Sequence, residues 1–266
     1  MNTQVSLTIQ SFKQPDPSLQ HSERKSAFCA HSFYERRIGS CLDAPGGSCK
    51  PHHITQRGTG RQRVFYSHRD RRVYLEQLRI NTTAEGVLVL AYSLMTNHIH
   101  LIVVPPGEES LATAIRRTHG RYAQYLNARK LRTGHLWQDR FFSCPLEDKH
   151  LWAALRYVER ASAADWEWSS ARAHLGLTTT FGCLDRDFWQ EAGGAPRWQS
   201  LLAEPEPEEW LKGFRRATYA GNPFGSEAFI ECARQTRNTT ETPPTPTAWG
   251  RESGPPCHEF SGKGVL

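Results

Sequence analysis

No run of 18 or more apolar residues occurs in this 266-residue chain, which excludes a membrane-spanning helix. The first ten residues, MNTQVSLTIQ, lack a basic start followed by an apolar block, so no secretory signal is read there. No CxxC pair is present: the seven cysteines stand singly at Cys29, Cys41, Cys49, Cys144, Cys183, Cys232 and Cys257. An odd, scattered set argues against a disulfide framework and against a cysteine-held zinc, and it fits a reducing, cytoplasmic setting. Sixteen prolines and twenty glycines are ordinary for a globular chain. There are no internal repeats, and no carboxylate-rich cage for magnesium is evident.

What the chain does have is basic charge in one region. The net charge is +6 overall, split as +2 over residues 1–50, +7 over residues 51–175 and −3 over residues 176–266. Two windows concentrate it: Arg57–Arg79, with seven Arg and two acids, and Arg116–Arg140, with seven basic residues and one acid. A local, Arg-dominated excess points to a polyanion partner, most often nucleic acid; the plainer alternative is a solvated surface with spare positive charge.

Residues 1–49 read as a poorly organised extension, closed by the linker-like Ala44-Pro45-Gly46-Gly47-Ser48. From Pro51 the texture changes. His52 to Arg57 is a short β-like run, and residues 68–82 are charged with Val73, Tyr74, Leu75 and Leu78 at helical spacing. Residues 87–95 and 98–104 predict two strands joined at Thr96-Asn97 as a hairpin. Residues 109–129 predict a helix with Leu111, Ile115, Tyr122 and Leu126 on one face. After an irregular stretch, 131–145, a further helix is expected over 147–160, with Leu151, Ala154, Leu155 and Val158 as its apolar stripe. This order predicts an α+β fold: a ferredoxin-like split βαβ antiparallel sheet with helices on one face, and loosely structured or disordered flanks. The expected organisation is an extension (1–49), a catalytic and DNA-binding domain (50–177), a small helical segment (178–235) with short helices at 187–192, 207–217 and 226–234, and a Thr/Pro/Gly-rich disordered tail (236–266).

Two features carry chemistry. In His98-Ile99-His100 the histidines are two apart on a strand, so both imidazoles project from one face while Ile99 enters the core. Such a pair can ligate a divalent metal, or it can be two histidines on a half-exposed strand. The pair lacks the following Asp and His of metallo-hydrolases, Leu101 and Ile102 coming next, which disfavours a zinc hydrolase. Tyr157 sits at the edge of the apolar stripe of its helix, where it is either structural or, facing a metal-bound phosphate, a nucleophile.

In order, the chain contains His52-His53-Ile54-Thr55-Gln56-Arg57-Gly58, then Tyr92-Ser93-Leu94-Met95-Thr96-Asn97-His98-Ile99-His100-Leu101-Ile102, then Gly134-His135-Leu136-Trp137-Gln138-Asp139-Arg140-Phe141, then Ala154-Leu155-Arg156-Tyr157-Val158-Glu159-Arg160, then Trp168-Ser169-Ser170-Ala171. From about Pro51 to Leu177 this closely resembles the bacterial REP-associated tyrosine transposases, HUH-class transposases of single-stranded DNA with one catalytic tyrosine. A weaker likeness lies at Gly221 to Phe229. The resemblance implies an HUH fold in which His98 and His100 bind Mg²⁺ or Mn²⁺. It implies that Tyr157 attacks a phosphate to give a 5′-phosphotyrosyl link and a free 3′-hydroxyl, on single-stranded or hairpin DNA. It implies a nucleoid-associated protein acting as a monomer or homodimer, with no membrane and no further protein partner. On that reading Arg57, Arg61, Arg63, Arg116, Arg117, Arg121 and Arg140 hold the DNA backbone. His135, Trp137 and Gln138 suit contact with an unpaired base, although Trp137 and Phe141 can equally be core packing.

One departure stands out. The family carries a polar amide four residues after the tyrosine, typically the third metal ligand; here that position is Ala161, as though about eight residues were missing from the following stretch. Either Glu159, Ser162 or a water supplies the ligand and the enzyme is weakened, or the chain is a non-catalytic hairpin DNA or RNA binder that retains the scaffold.

Overall fold

The structure is a computed structural model that describes residues 50–160, 166–178 and 182–240. The expected extension 1–49, the tail beyond 240, and Ala161 and Ser162 lie outside the described residues. The elements are β1 (His52–Arg57), α1 (His68–Ala84), β2 (Leu88–Leu94), β3 (His98–Val104), α2 (Glu108–Lys130), β4 (Phe142–Pro145), α3 (Leu151–Arg160), α4 (Ala171–His174), α5 (Arg186–Glu191), α6 (Gly194–Ala203), α7 (Glu208–Ala220) and α8 (Glu227–Thr240). Among these residues no helix is long and apolar enough to cross a membrane.

The four strands form one antiparallel sheet in the order β2-β3-β1-β4. β1 and β2 run parallel with β3 between them, which is the split βαβ arrangement read from the element order. Local chemistry sets the boundaries. Ser67 caps α1 by accepting from the Asp70 amide, and the Asp70 carboxylate accepts from the Ser67 amide in return. The β2–β3 hairpin is held from below: the Gly58 amide donates to the Asn97 carbonyl and the Val64 amide to Thr96. A Cβ on Gly58 would stand 2.4 Å from the Gln62 carbonyl, so this approach requires glycine.

The pleat assigns each face. On β3, Ile99, Leu101 and Val103 join Ile54 of β1 in a core with Tyr74, Leu78, Leu111, Ile115, Tyr122 and Leu126 of α1 and α2. Ile102 and Val104 point to the opposite face and pack with Leu151, Leu155 and Val158 of α3, Phe188 of α5, Trp198 and Leu201 of α6 and Phe214 of α7. A register shift between Val89 and Ala91 turns Leu90 and Ala91 together toward this second core.

The α+β class and the antiparallel sheet agree with the sequence reading, but the helices cover both faces rather than one. The reason lies in β3, where Ile102 and Val104 are as fully buried as Leu101 and Val103; a strand that is apolar on both sides requires cover on both sides. The expected helices at 187–192, 207–217 and 226–234 are present as α5, α7 and α8. α6 was not among the expected helices; it starts at Gly194, with Gly193 before it at a φ of 99°. α8 runs five residues into the segment expected as tail.

Both outer edges of the sheet carry hydrogen bonds to other segments. Along β2, Leu94 donates to Trp168, Ser170 to Tyr92, and Asp185 to Val89. Beyond β4, Phe224 donates to the Pro145 carbonyl and accepts from the Glu147 amide, so the Gly221–Phe229 motif docks against that edge.

Candidate active site and nucleic-acid face

His98 and His100 project together from the α3 face of the sheet with ring centroids 5.1 Å apart. The Nδ1 of His98 lies 2.7 Å from Asn97 Oδ1, and the Nδ1 of His100 lies 2.9 Å from His53 Nε2. Among the described residues neither Nε2 has a hydrogen-bond partner. Desolvation lowers the pKa of both below the ordinary imidazole value; the nearby Arg57 adds to this, and at His100 so do His53 and His98. Both rings are therefore neutral near pH 7, the form in which imidazole binds metal. The donor set thus fits a divalent cation with two nitrogens, each ring held by a bond at its other nitrogen.

Tyr157 of α3 stands edge-on to His100 and to His53, with ring centroids 6.1 and 6.0 Å away. Its hydroxyl has no hydrogen-bond partner among the described residues. α7 closes the site from the other side: Phe214 packs edge-on to Tyr157 at 5.0 Å and stacks on His53 at 4.9 Å, and the Arg215 guanidinium lies 5.9 Å from the Tyr157 ring centre. The sequence reading missed His53, Phe214, Arg215 and Thr218. The β1 period places His53 on the face of His100, which is a usable signal; nothing local in the sequence places α7 over Tyr157.

Glu159 does not complete the metal site. Only 1% exposed, it faces away from the histidines: Oε1 accepts from Ser170 Oγ at 2.6 Å and from His174 Nδ1 at 2.5 Å, and Oε2 accepts from Trp198 Nε1 at 2.6 Å. Both oxygens are committed, so the expectation that Glu159 might replace the absent amide is corrected. Among the described residues no His, Cys, Asp or Glu trio is placed to hold a metal.

The basic and aromatic residues divide between the two faces. Arg57 sits opposite His98 on the site face. Arg116, Trp137 and Arg140 instead line a cavity of about 530 Å³ together with Gln56, Thr113 and His119, on the α2 face. Trp137 is partly core, as one of its two readings held: its N–H donates to the His119 carbonyl, and its ring lies 4.7 Å from the His119 ring. Gln56 is 2% exposed; its amide donates to the Gln138 and Asp139 carbonyls, and its Oε1 has no partner among the described residues. Arg61, Arg63, Arg121, His135 and Gln138 are exposed. Arg117 pairs with Glu85 at 2.6 Å, which ties α2 to the end of α1 and points it away from the cavity.

His119 and His53 are buried, and desolvation pushes each pKa down to about 3. Between that value and the usual 6.5 the unfolded chain takes up protons that the folded chain refuses. Their stabilising effect is thus complete above about pH 6.5 and is lost as the pH falls. At pH 5 the loss is about 2 kcal/mol per histidine. Thermal melts at pH 7 and pH 5 should therefore differ clearly, and coincident melts would contradict this account.

Residues 48–161 match the family model described as "Transposase IS200 like". No curated protein matches the chain. A solved structure of a REP-associated tyrosine transposase bound to a REP hairpin is similar over 52% of this chain and 93% of that one, at 14% identity and a TM-score of 0.43. Over residues 48–161, the chain is thus similar to the IS200-like transposases.

Proposed function

We propose that this chain cleaves and rejoins single-stranded DNA at hairpin-bearing repeats through a 5′-phosphotyrosyl intermediate on Tyr157. The observation that carries the reading is the convergence of Tyr157 on His98 and His100 within one chain, the hydroxyl and both Nε2 atoms having no hydrogen-bond partner among the described residues. Tyr157 Oη gives up its proton to solvent and bonds to phosphorus as the P–O3′ bond breaks, and the departing oxygen takes up a proton from solvent to give a 3′-hydroxyl. His98 and His100 would hold Mg²⁺ or Mn²⁺, and such an ion, when bound, would supply Lewis-acid chemistry at the phosphate. Imidazole nitrogen without carboxylate suits Mn²⁺ better than the harder Mg²⁺. Arg57 and Arg215, on either side of the cluster, are placed to hold phosphate oxygens.

The cavity on the α2 face suits an unpaired nucleotide, with Arg116 and Arg140 for phosphate and the Trp137 edge for a base. If about six phosphates are contacted, the log–log slope of affinity against salt is roughly −4, and Arg116→Ala or Arg140→Ala should reduce its magnitude by about one. Filter binding across a salt series checks this; a slope unchanged in both variants removes the cavity from the DNA path.

The test of the reading is a covalent protein–DNA adduct on hairpin-bearing single strands with Mn²⁺. The competing reading is a non-catalytic hairpin DNA or RNA binder. That reading requires binding that survives chelation, with no adduct at any metal concentration.

A further inference from the structure

We propose that Thr218 and His53 form a positioning chain that presents His100 Nε2 to the metal, so that helix α7, which lies outside the matched segment 48–161, is part of the metal site. The inference rests on the metal-site reading above and adds residues to it. Three observations carry it. His53 Nε2 lies 2.9 Å from His100 Nδ1, and His53 Nδ1 lies 3.0 Å from Thr218 Oγ1. The two imidazoles are stacked within 11° of parallel, with Phe214 against the far side of His53 at 22°. All three polar residues are buried, at 0% exposure for His53, 6% for His100 and 3% for Thr218, so water does not compete for these bonds.

The chain has only two internally consistent directions. A neutral imidazole carries one N–H. If His100 Nδ1–H donates to His53 Nε2, then His53 must carry its hydrogen on Nδ1 and donate to Thr218 Oγ1. That direction leaves the lone pair of His100 Nε2 facing the site. In the reverse direction Thr218 donates to His53 Nδ1, His53 Nε2–H donates to His100 Nδ1, and the hydrogen on His100 Nε2 closes that nitrogen to a cation. Coordination selects the first direction, and the hydroxyl on α7 anchors it by accepting the final hydrogen bond.

The experiment uses the full chain and Mn²⁺ alone, with binding read from the loss of the free-ion EPR signal and folding read from thermal melts. His53→Phe keeps a ring between Phe214 and His100 but removes both hydrogen bonds; Mn²⁺ affinity is expected to fall about 10- to 100-fold. His53→Gln restores an acceptor toward His100 and a donor toward Thr218, and should recover affinity to within a few-fold of wild type. Thr218→Val should weaken Mn²⁺ less than His53→Phe does. A folded His53→Phe that binds Mn²⁺ like wild type overturns the proposal, as does His53→Gln binding no better than His53→Phe. A second measurement does not depend on any variant folding. In ¹⁵N-histidine spectra of the wild-type chain saturated with Mg²⁺, His53 and His100 should both be protonated at Nδ1, and a hydrogen on His100 Nε2 overturns the proposal. Wild type that binds no Mn²⁺ removes the metal-site reading and this proposal together. Bound Mn²⁺ with no DNA adduct removes the strand-transfer reading and leaves the positioning chain standing.

Discussion

Tyr157→Phe should abolish the covalent protein–DNA adduct and lower strand cleavage by about three orders of magnitude or more, the scale seen when a nucleophile is deleted. The variant is chemically clean in this fold. The phenyl ring keeps the edge contacts to His53, His100 and Phe214, and the lost hydroxyl leaves no hydrogen-bond partner behind among the described residues. Melting temperature and hairpin affinity should therefore stay near wild type. Denaturing gels with end-labelled hairpin DNA give the readout. An adduct of undiminished yield in the phenylalanine variant would assign the nucleophile elsewhere. Binding by wild type without any adduct would favour the non-catalytic reading.

Glu159→Ala should cost about 3–5 kcal/mol of stability, the largest effect expected of a single side chain outside the histidine cluster. The carboxylate accepts from three buried donors on two elements: Ser170 at the N-terminus of α4, His174 on α4 and Trp198 on α6. Its loss leaves an imidazole N–H and an indole N–H in the core without an acceptor, each at a desolvation cost, while the Ser170 hydroxyl keeps the Tyr92 carbonyl at 3.3 Å. Glu159→Gln should cost less, because one acceptor oxygen remains. Denaturant titration of both variants measures this. The same variants also separate structure from metal binding: where Glu159→Gln folds, its Mn²⁺ affinity should equal that of wild type. A folded variant with lost Mn²⁺ affinity would return Glu159 to the metal site.

The parts of this molecule that follow short-range rules were legible in the sequence. Alternation along His98 to Val104 gave the strand and the shared face of the two histidines. The spacing of Leu111, Ile115, Tyr122 and Leu126 gave the long helix. The Thr96-Asn97 turn gave the hairpin. The same alternation was read one face short, since Ile102 and Val104 already required a second covering layer. Glu159 was misread because its partners, Ser170, His174 and Trp198, are 11 to 39 residues away, and no local period records a hydrogen bond of that span. The contribution of α7 was invisible for a similar reason: Thr218 meets His53 across 165 residues. The basic windows were legible as charge. Only the fold shows that Arg57 and Arg140, similar in sequence context, attend opposite faces of the sheet.

The sealed edges of the sheet bear on how copies of this chain can associate. An exposed edge strand invites a second molecule to add its own strand and continue the sheet. Here Val89, Tyr92 and Leu94 already share hydrogen bonds with residues 168–170 and 185, and the strand direction beyond Pro145 is taken by Phe224. A second copy would have to displace these segments before it could extend the sheet.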